Sequence, residues 1–173
     1  MRTAFSLSGN AMTDQDTIPL EVRVLSDIYR MNDGRPGQMP VSPYEIARKL
    51  RMKDEDILDA MRLLKVDGYL SRQSDANPVG SYADRNSYFD LTEEGADHME
   101  QLSRDYAAST GEQAILDMLD QNGAMTWGGI RRALSKDASV DDDELDVMLD
   151  TLSVYLLVDK EGDLLDGYVY KLH

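Results

Sequence analysis

The chain has 173 residues, of which 42% are hydrophobic, and its 33 acidic and 18 basic side chains give a formal net charge of −15. This hydrophobic content suffices for a packed core, so the composition excludes a disordered chain. The absence of cysteine excludes disulfides, thiol catalysis and thiolate metal sites, and it fits a reducing, cytoplasmic environment. No apolar run approaches the roughly 18 residues of a membrane span, so we expect no membrane partner.

The acidity has two interpretations. Phosphate binding depends on lysine and arginine, so an acidic surface ordinarily argues against nucleic acid. However, 24 of the 33 acids are aspartate and 12 of the 18 bases are arginine. That balance resembles proteins of salt-loving archaea, in which acidity is a solubility device that DNA-binding proteins share. The charge alone therefore does not decide between a nucleic-acid partner and a protein partner.

The N-terminal part of the chain predicts a flexible arm followed by a helix. Residues 1–17 contain no continuous apolar run of about seven residues, so we interpret them as an arm rather than a signal peptide, and Met12 is an alternative start. Apolar residues at helical spacing then predict a helix from Ile18 to Met31, with Thr17 as its cap.

Three more helices and a hairpin are predicted up to residue 106. The run Ser42-Pro43-Tyr44-Glu45 is a capping box that opens a short helix to about Leu50. A third helix is predicted with Asp54 as its cap and Gly68 as its end. A strand at 69–72, a long hairpin loop at 73–87, a strand at 87–91 and a helix from Thr92 to about residue 106 follow.

This order of elements is that of a winged helix. The segment Tyr88–Gly95 (YFDLTEEG) resembles the Y-x-L-T-x-x-G close of the wing in MarR- and PadR-like regulators. Gly68-Tyr69-Leu70 resembles the step from recognition helix to wing in the same family. The resemblance covers Ile18 to Tyr106, and it implies a mainly α fold with small β-hairpin wings (α+β) and a DNA-binding function.

Residues 111–173 repeat the plan. Helices are predicted at 111–122 with a Thr110/Gln113 capping box, after Thr126, and from the acidic run Asp141–Glu144. A strand at 156–158, a tight turn at 161–163 and a strand at 168–170 follow. An offset of 88 positions aligns the third helices, and an offset of 84 aligns the second helices. We therefore predict two tandem winged-helix domains, residues 18–108 and 109–173, after the arm at 1–17.

No group of residues in the sequence predicts catalysis. The two histidines, His98 and His173, lie far apart, whereas a zinc site needs several ligands in close spacing. The acidic run Asp141–Glu144 lacks the order of a calcium loop and is typical of a helix start. Trp127 is interpreted as a core or staple residue. We expect no enzyme activity, no metal and no cofactor.

A winged helix places its third helix in the major groove of DNA. Basic residues surround that helix in the first half, although Asp54, Glu55 and Asp56 stand at its start. The predicted DNA-binding residues are Arg48, Lys49, Arg51, Lys53, Arg62, Lys65, Arg72 and Arg85. Residues 111–173 contain 5 bases and 14 acids, so we do not expect the second half to read DNA.

The leading hypothesis is a transcriptional regulator. Its first domain contacts double-stranded DNA, and its second domain mediates dimerisation, giving a homodimer, or binds a partner. The alternative is a non-enzymatic protein–protein interaction adaptor, viral or part of a larger complex, whose acidic tandem winged helices meet a basic partner.

Overall fold

A computed structural model describes residues 18–73, 87–134, 140–163 and 167–173. They form a mainly helical α+β structure with small antiparallel sheets. The first half contains α1 (Leu20–Met31), α2 (Pro43–Leu50), α3 (Asp54–Val66), β1 (Leu70–Gln73), β2 (Tyr88–Leu91) and α4 (Glu93–Asp105). The second half contains α5 (Thr110–Asn122), β3 (Met125–Thr126), α6 (Trp127–Leu134), α7 (Asp142–Val154), β4 (Val158–Asp163) and β5 (Gly167–Leu172). Within these ranges no helix is long and apolar enough to cross a membrane.

The two sheets are built alike. In the first, β1 pairs with β2, and Val41 from the segment between α1 and α2 forms a β-bridge to Phe89. In the second, the strand order is β3-β5-β4, and β3 lies between the first two helices of that half. Each hairpin therefore receives, on its last strand, an extended segment that precedes the second helix of its half.

The predicted caps are partly right. Ser42 and Glu45 form the predicted capping box of α2. The acidic run was predicted to begin α7 without a named cap, and the side chain of Asp141 caps the helix by accepting the amide of Glu144 at 2.7 Å. The predicted cap of α3 is wrong, because Lys53 is the N-cap and Asp54 is the first helical residue. Asp54 still stabilises the helix start, since an acid in the first turn interacts favourably with the helix dipole. Thr17 lies outside the described residues.

The predicted capping box of α5 is displaced by one residue. Ser109 and Glu112 form it, rather than Thr110 and Gln113. The carboxylate of Glu112 also accepts the hydroxyl of Tyr106 at 2.8 Å. Glu112 is buried, so this second partner matters, because a buried carboxylate without hydrogen bonds is costly.

The third helices of the two halves end in the same way. In α3, the amides of Gly68 and Tyr69 bond to carbonyls of the last turn at 3.1 and 2.9 Å. In α7, the amides of Leu156 and Leu157 form the same two bonds at 3.1 and 2.9 Å. Both Gly68 (φ 84°) and Leu156 (φ 59°) have left-handed backbone. This conformation, together with the two hydrogen bonds, is the Schellman motif, in which helices commonly end. The predicted offset of 88 positions therefore holds down to individual hydrogen bonds.

Two details of the second hairpin differ from the prediction. Leu156 lies in the turn that follows α7, and β4 begins at Val158. The predicted turn at Glu161–Asp163 lies within β4 instead, where Gly162 pairs with Tyr168. Gly162 suggests a turn in the sequence, but a Cβ there would lie 2.3 Å from the carbonyl oxygen of Gly167. The positive φ of Gly162 (100°) and the close approach of the two strands together explain this glycine.

The buried residues form two hydrophobic clusters. One is built from α1–α4 with the first sheet, and the other from α5–α7 with the second sheet. Leu156 is the exception to this division. It follows α7 in the chain, but its side chain is 3% exposed and belongs to the first cluster. The second half thus inserts one side chain into the core of the first.

Arginine side chains of α1 reinforce this contact between the halves. We call the contact the seam, and it comprises Leu156 and the pairs Arg30–Asp159 and Arg23–Asp150. The guanidinium of Arg30 contacts the carboxylate of Asp159 at 2.5 Å and donates to the carbonyls of Ser153 and Val158 at 2.6 and 3.0 Å. Arg23 forms an ion pair with Asp150 at 2.7 Å. Side chains of α1 therefore contact acceptors on both α7 and β4.

The seam is expected to weaken at low pH. Burial alone raises the pKa of Asp159, but hydrogen bonds and charges from His173 and Arg30 outweigh it, so the pKa lies below its usual value. A lowered carboxyl pKa stabilises the fold at neutral pH, and this contribution is lost as the pH falls below about 5 and through the lowered pKa. Asp159→Asn should therefore lower the melting temperature more at pH 7 than at about pH 3.

Thermal unfolding followed by circular dichroism at the two pH values measures this difference. Asp120→Asn removes the same charge from an exposed position on α5 and serves as the control. An equal loss at both pH values for Asp159→Asn would contradict the expected role of its carboxylate.

Candidate functional site

A cluster of exposed cations lies at the turn between α2 and α3. Arg51 ends α2 in the left-handed conformation, with φ 55° and ψ 42°, and the amide of Met52 bonds back to Ala47 at 2.9 Å. This tight reversal brings the basic end of α2 close to Lys53 at the start of α3. Arg48, Arg51 and Lys53 are exposed, and none has an ion-pair partner among the described residues. We call these three residues the basic turn.

Lys49 is separate from the basic turn. Its Nζ lies 2.6 Å from the Oδ1 of Asp27 on α1. The other carboxylate oxygen of Asp27 is buried and has no hydrogen-bond partner in the described part of the chain. The charge of Lys49 is therefore balanced within the fold. No local pattern indicates this pairing, because the partner lies on a different helix.

The start of α3 carries the three predicted acids on its exposed surface. Asp54 and Glu55 line a small cleft with Pro43, Tyr44 and Leu58, beside the start of α2. The basic turn follows the end of α2. Asp54 follows Lys53 directly in the chain, so the acids of α3 adjoin the basic turn.

The outward face of α3 is mixed rather than basic. Arg62 pairs with Asp59 at 2.9 Å, one helical turn away, and Lys65 is exposed in the last turn. Leu63 and Val66 are 52% and 82% exposed. Such apolar side chains do not contact phosphate, although they can contact a thymine methyl or a protein.

One of the two predicted arginines of the hairpin is among the residues that the structure describes. Arg72 is exposed on β1 and pairs in register with Phe89 on β2. Arg85 lies outside the described residues, as does most of the predicted hairpin loop. Of the eight predicted residues, the structure places three in the basic turn, one against α1, and three along α3 and β1.

The YFDLTEEG segment acquires a structural explanation. Thr92 Oγ1 accepts the amide of Gly95 at 3.0 Å and lies 2.7 and 2.9 Å from the carbonyl oxygens of Gly68 and Tyr69, to one of which its hydroxyl donates. A Cβ on Gly95 would lie 2.2 Å from the Tyr69 oxygen. The threonine and the glycine thus fix α4 against the junction between α3 and the hairpin.

A second candidate site, which the sequence did not predict, lies in the second half. It is a groove of about 480 Å³ between α7 and the β4–β5 sheet. We call it the aromatic groove, and its polar and aromatic lining comprises Trp127, Asp146, Asp150, Ser153, Lys160, Tyr168 and Tyr170. Two signals were available in the sequence: Asp146 and Asp150 have the i, i+4 spacing of one helix face, and the two tyrosines have the period of one strand face.

Aromatic rings and charged side chains contact each other in the groove. The indole Nε1 of Trp127 donates to Asp146 Oδ1 at 2.8 Å. Lys160 Nζ lies over the ring of Tyr168, 3.7 Å from its centroid. Burial raises the pKa of Tyr170, and the nearby carboxylate of Asp146 adds to this effect. Trp127, predicted to be a core or staple residue, is half-buried and belongs to this lining as well as to the second cluster.

Neither candidate site has the residues of a metal centre. In the part of the chain that the structure describes, no group of three or more histidine, aspartate or glutamate residues is arranged to hold a metal ion. Comparison of the sequence with models of protein families and with curated proteins found no match. The functional interpretation therefore depends on the geometry of the basic turn and the aromatic groove.

Proposed function

We propose that the chain is a tandem winged-helix protein and that its first half binds double-stranded DNA, as in a transcriptional regulator. The observation that carries the proposal is the basic turn, three exposed cations without ion-pair partners among the described residues. It lies directly before α3, the helix that a winged helix places in the major groove. Cations at this position are available to the phosphates on either side of the groove.

The tandem arrangement is supported by the likeness of the two halves. Each has one helix, an extended segment, two helices and a hairpin, in that order. The third helices end with the same pair of hydrogen bonds. The hairpin that follows α3 occupies the place of the wing, and it carries Arg72.

The chemistry of α3 favours phosphate contacts over extensive base reading. Asp54, Glu55 and Asp56 at its start would repel phosphates that approach that end, and Leu63 and Val66 offer apolar contacts only. The basic turn and the hairpin therefore supply most of the affinity in this proposal. Lys49 contributes little, because its charge is already balanced by Asp27.

The second half is proposed to bind protein. Its residues 111–173 have a formal charge of −9, and α7 begins with four consecutive acids, counting its cap. Such a surface repels DNA at ordinary salt. A second copy of the chain or a basic partner protein fits this charge, and the adaptor alternative is favoured specifically by the aromatic groove.

A salt titration tests DNA binding. Neutralising each phosphate-contacting cation lowers the slope of log affinity against log salt by about 1. Arg48→Ala/Lys53→Ala should therefore lower the slope by about 2 and weaken binding to unrelated duplexes alike. Fluorescence anisotropy of a labelled duplex over a salt series measures the slope, and circular dichroism at each salt concentration verifies the fold.

The control is Arg104→Ala/Lys171→Ala, which removes two charges that pair with Glu100 and Glu161 on other surfaces. Its slope should stay close to that of the unaltered chain. Equal slopes for the two double variants, or no binding of the unaltered chain even at the lowest salt that keeps it folded, would refute the proposed interface.

A further inference from the structure

We propose that the aromatic groove binds lysine or arginine side chains of a basic peptide segment in a partner protein. This site is independent of the basic turn, since it is built from α6, α7, β4 and β5. Its rings are Trp127, Tyr168 and Tyr170, and its carboxylates are Asp146 and Asp150. Aromatic faces attract cations through their quadrupole, and a carboxylate beside them adds a directional anchor.

A cation of the chain itself already lies against one ring of the groove. The ammonium of Lys160 lies 3.7 Å from the centroid of the Tyr168 ring, which is cation–π distance. Lys160 is exposed, and a lysine side chain is long and flexible, so an incoming cation can displace it without unfolding the strand. Lys160 therefore covers the face of the Tyr168 ring that the cation of a ligand would contact.

Asp146 is the anchoring carboxylate of the groove. It orients the indole of Trp127 by accepting its N–H at 2.8 Å, and it has no cationic partner among the described residues. Asp150 differs, because Arg23 already pairs with it at 2.7 Å. An ammonium or guanidinium group beside Trp127 would therefore find one uncompensated carboxylate within the same groove.

A second cleft of about 220 Å³ adjoins the aromatic groove and shares Asp150, Ser153 and Lys160 with it. Its lining also contains Arg23, Arg30 and Lys49. These cations would repel a basic segment, so its lysine or arginine side chain is expected in the aromatic groove and not in the second cleft. The acidity of the second half favours a basic protein segment over nucleic acid, since phosphates would be repelled.

The single tryptophan makes the test direct. Trp127 lies in the groove, so its fluorescence should change saturably as an octalysine peptide is added at about 0.15 M salt, where long-range surface attraction is screened. Asp146→Asn and Tyr168→Ala should each weaken binding about 3- to 30-fold. Lys160→Ala should strengthen it about 2- to 10-fold, because the internal competitor is removed. Isothermal titration calorimetry gives the affinities independently of the probe.

The controls separate this site from general attraction between opposite charges. Asp120→Asn removes one acid from the exposed surface of α5 and should leave the affinity within about twofold, as screened charges contribute little. An octaglutamate peptide should not bind. The proposal is overturned if Lys160→Ala weakens octalysine binding or leaves it unchanged, or if Asp120→Asn weakens it as much as Asp146→Asn. Failure here leaves the salt titration with DNA unaffected, because the two experiments use different surfaces.

Discussion

Replacing Leu156 by alanine is expected to lower the free energy of unfolding by about 2–5 kcal/mol, the range for removing a buried leucine side chain. The loss should fall on the contact between the halves, because this side chain of the second half is 3% exposed within the first cluster. Urea unfolding, followed by circular dichroism and by Trp127 fluorescence, measures both effects. The two signals should separate in the variant, since fluorescence reports the second half and circular dichroism reports the helices of both.

Leu156→Gly tests the backbone at the same position. In ordinary helices glycine is about 1 kcal/mol less stable than alanine. Here φ is 59°, a left-handed conformation that costs an L-residue roughly 1–2 kcal/mol but costs glycine little. Leu156→Gly should therefore be at least as stable as Leu156→Ala. If alanine is clearly the more stable of the two, the left-handed turn at the end of α7 is refuted.

Gly95→Ala is expected to destabilise the fold by about 1–3 kcal/mol or more, through overpacking. The new Cβ would lie 2.2 Å from the Tyr69 carbonyl oxygen and 3.0 Å from its carbon, so backbone must move. Because Thr92 hydrogen bonds to the same stretch of chain, the displacement should also loosen the hairpin after α3. Chemical denaturation measures the loss.

Gly128→Ala is the matched control. It lies in helix α6, and nothing is found within 4 Å of the position of its Cβ. Alanine there should stabilise the chain by roughly 0.5–1 kcal/mol through helix propensity. If both variants change stability by the same amount and in the same direction, close packing at Gly95 is not the reason for the glycine.

Local patterns predicted the order of the elements well. Apolar stripes, the Ser42 capping box and the acidic run that begins α7 act within one or two helical turns, so the sequence contains all that decides them. The cap of α5 shows the limit. Ser109/Glu112 and Thr110/Gln113 have the same spacing, and the hydrogen bond from Tyr106 to Glu112 belongs only to the pair that forms.

Leu156 and the candidate sites show what local patterns omit. A Leu-Leu-Val run is typical of a strand, and nothing in it indicates that the first leucine packs into the other half. Counting charges found the cations near α3, but it did not show that Lys49 pairs with Asp27. The aromatic groove was missed because its side chains come from four separate elements.

Arg30 links the two halves of the molecule. A single α1 side chain contacts three acceptors of the second half, one on α7 and two on β4. The halves are therefore held together by side-chain contacts as well as by the link between α4 and α5. The two halves thus have complementary surfaces: the first has a cavity for one leucine of the second, and the second has three acceptors for one arginine of the first.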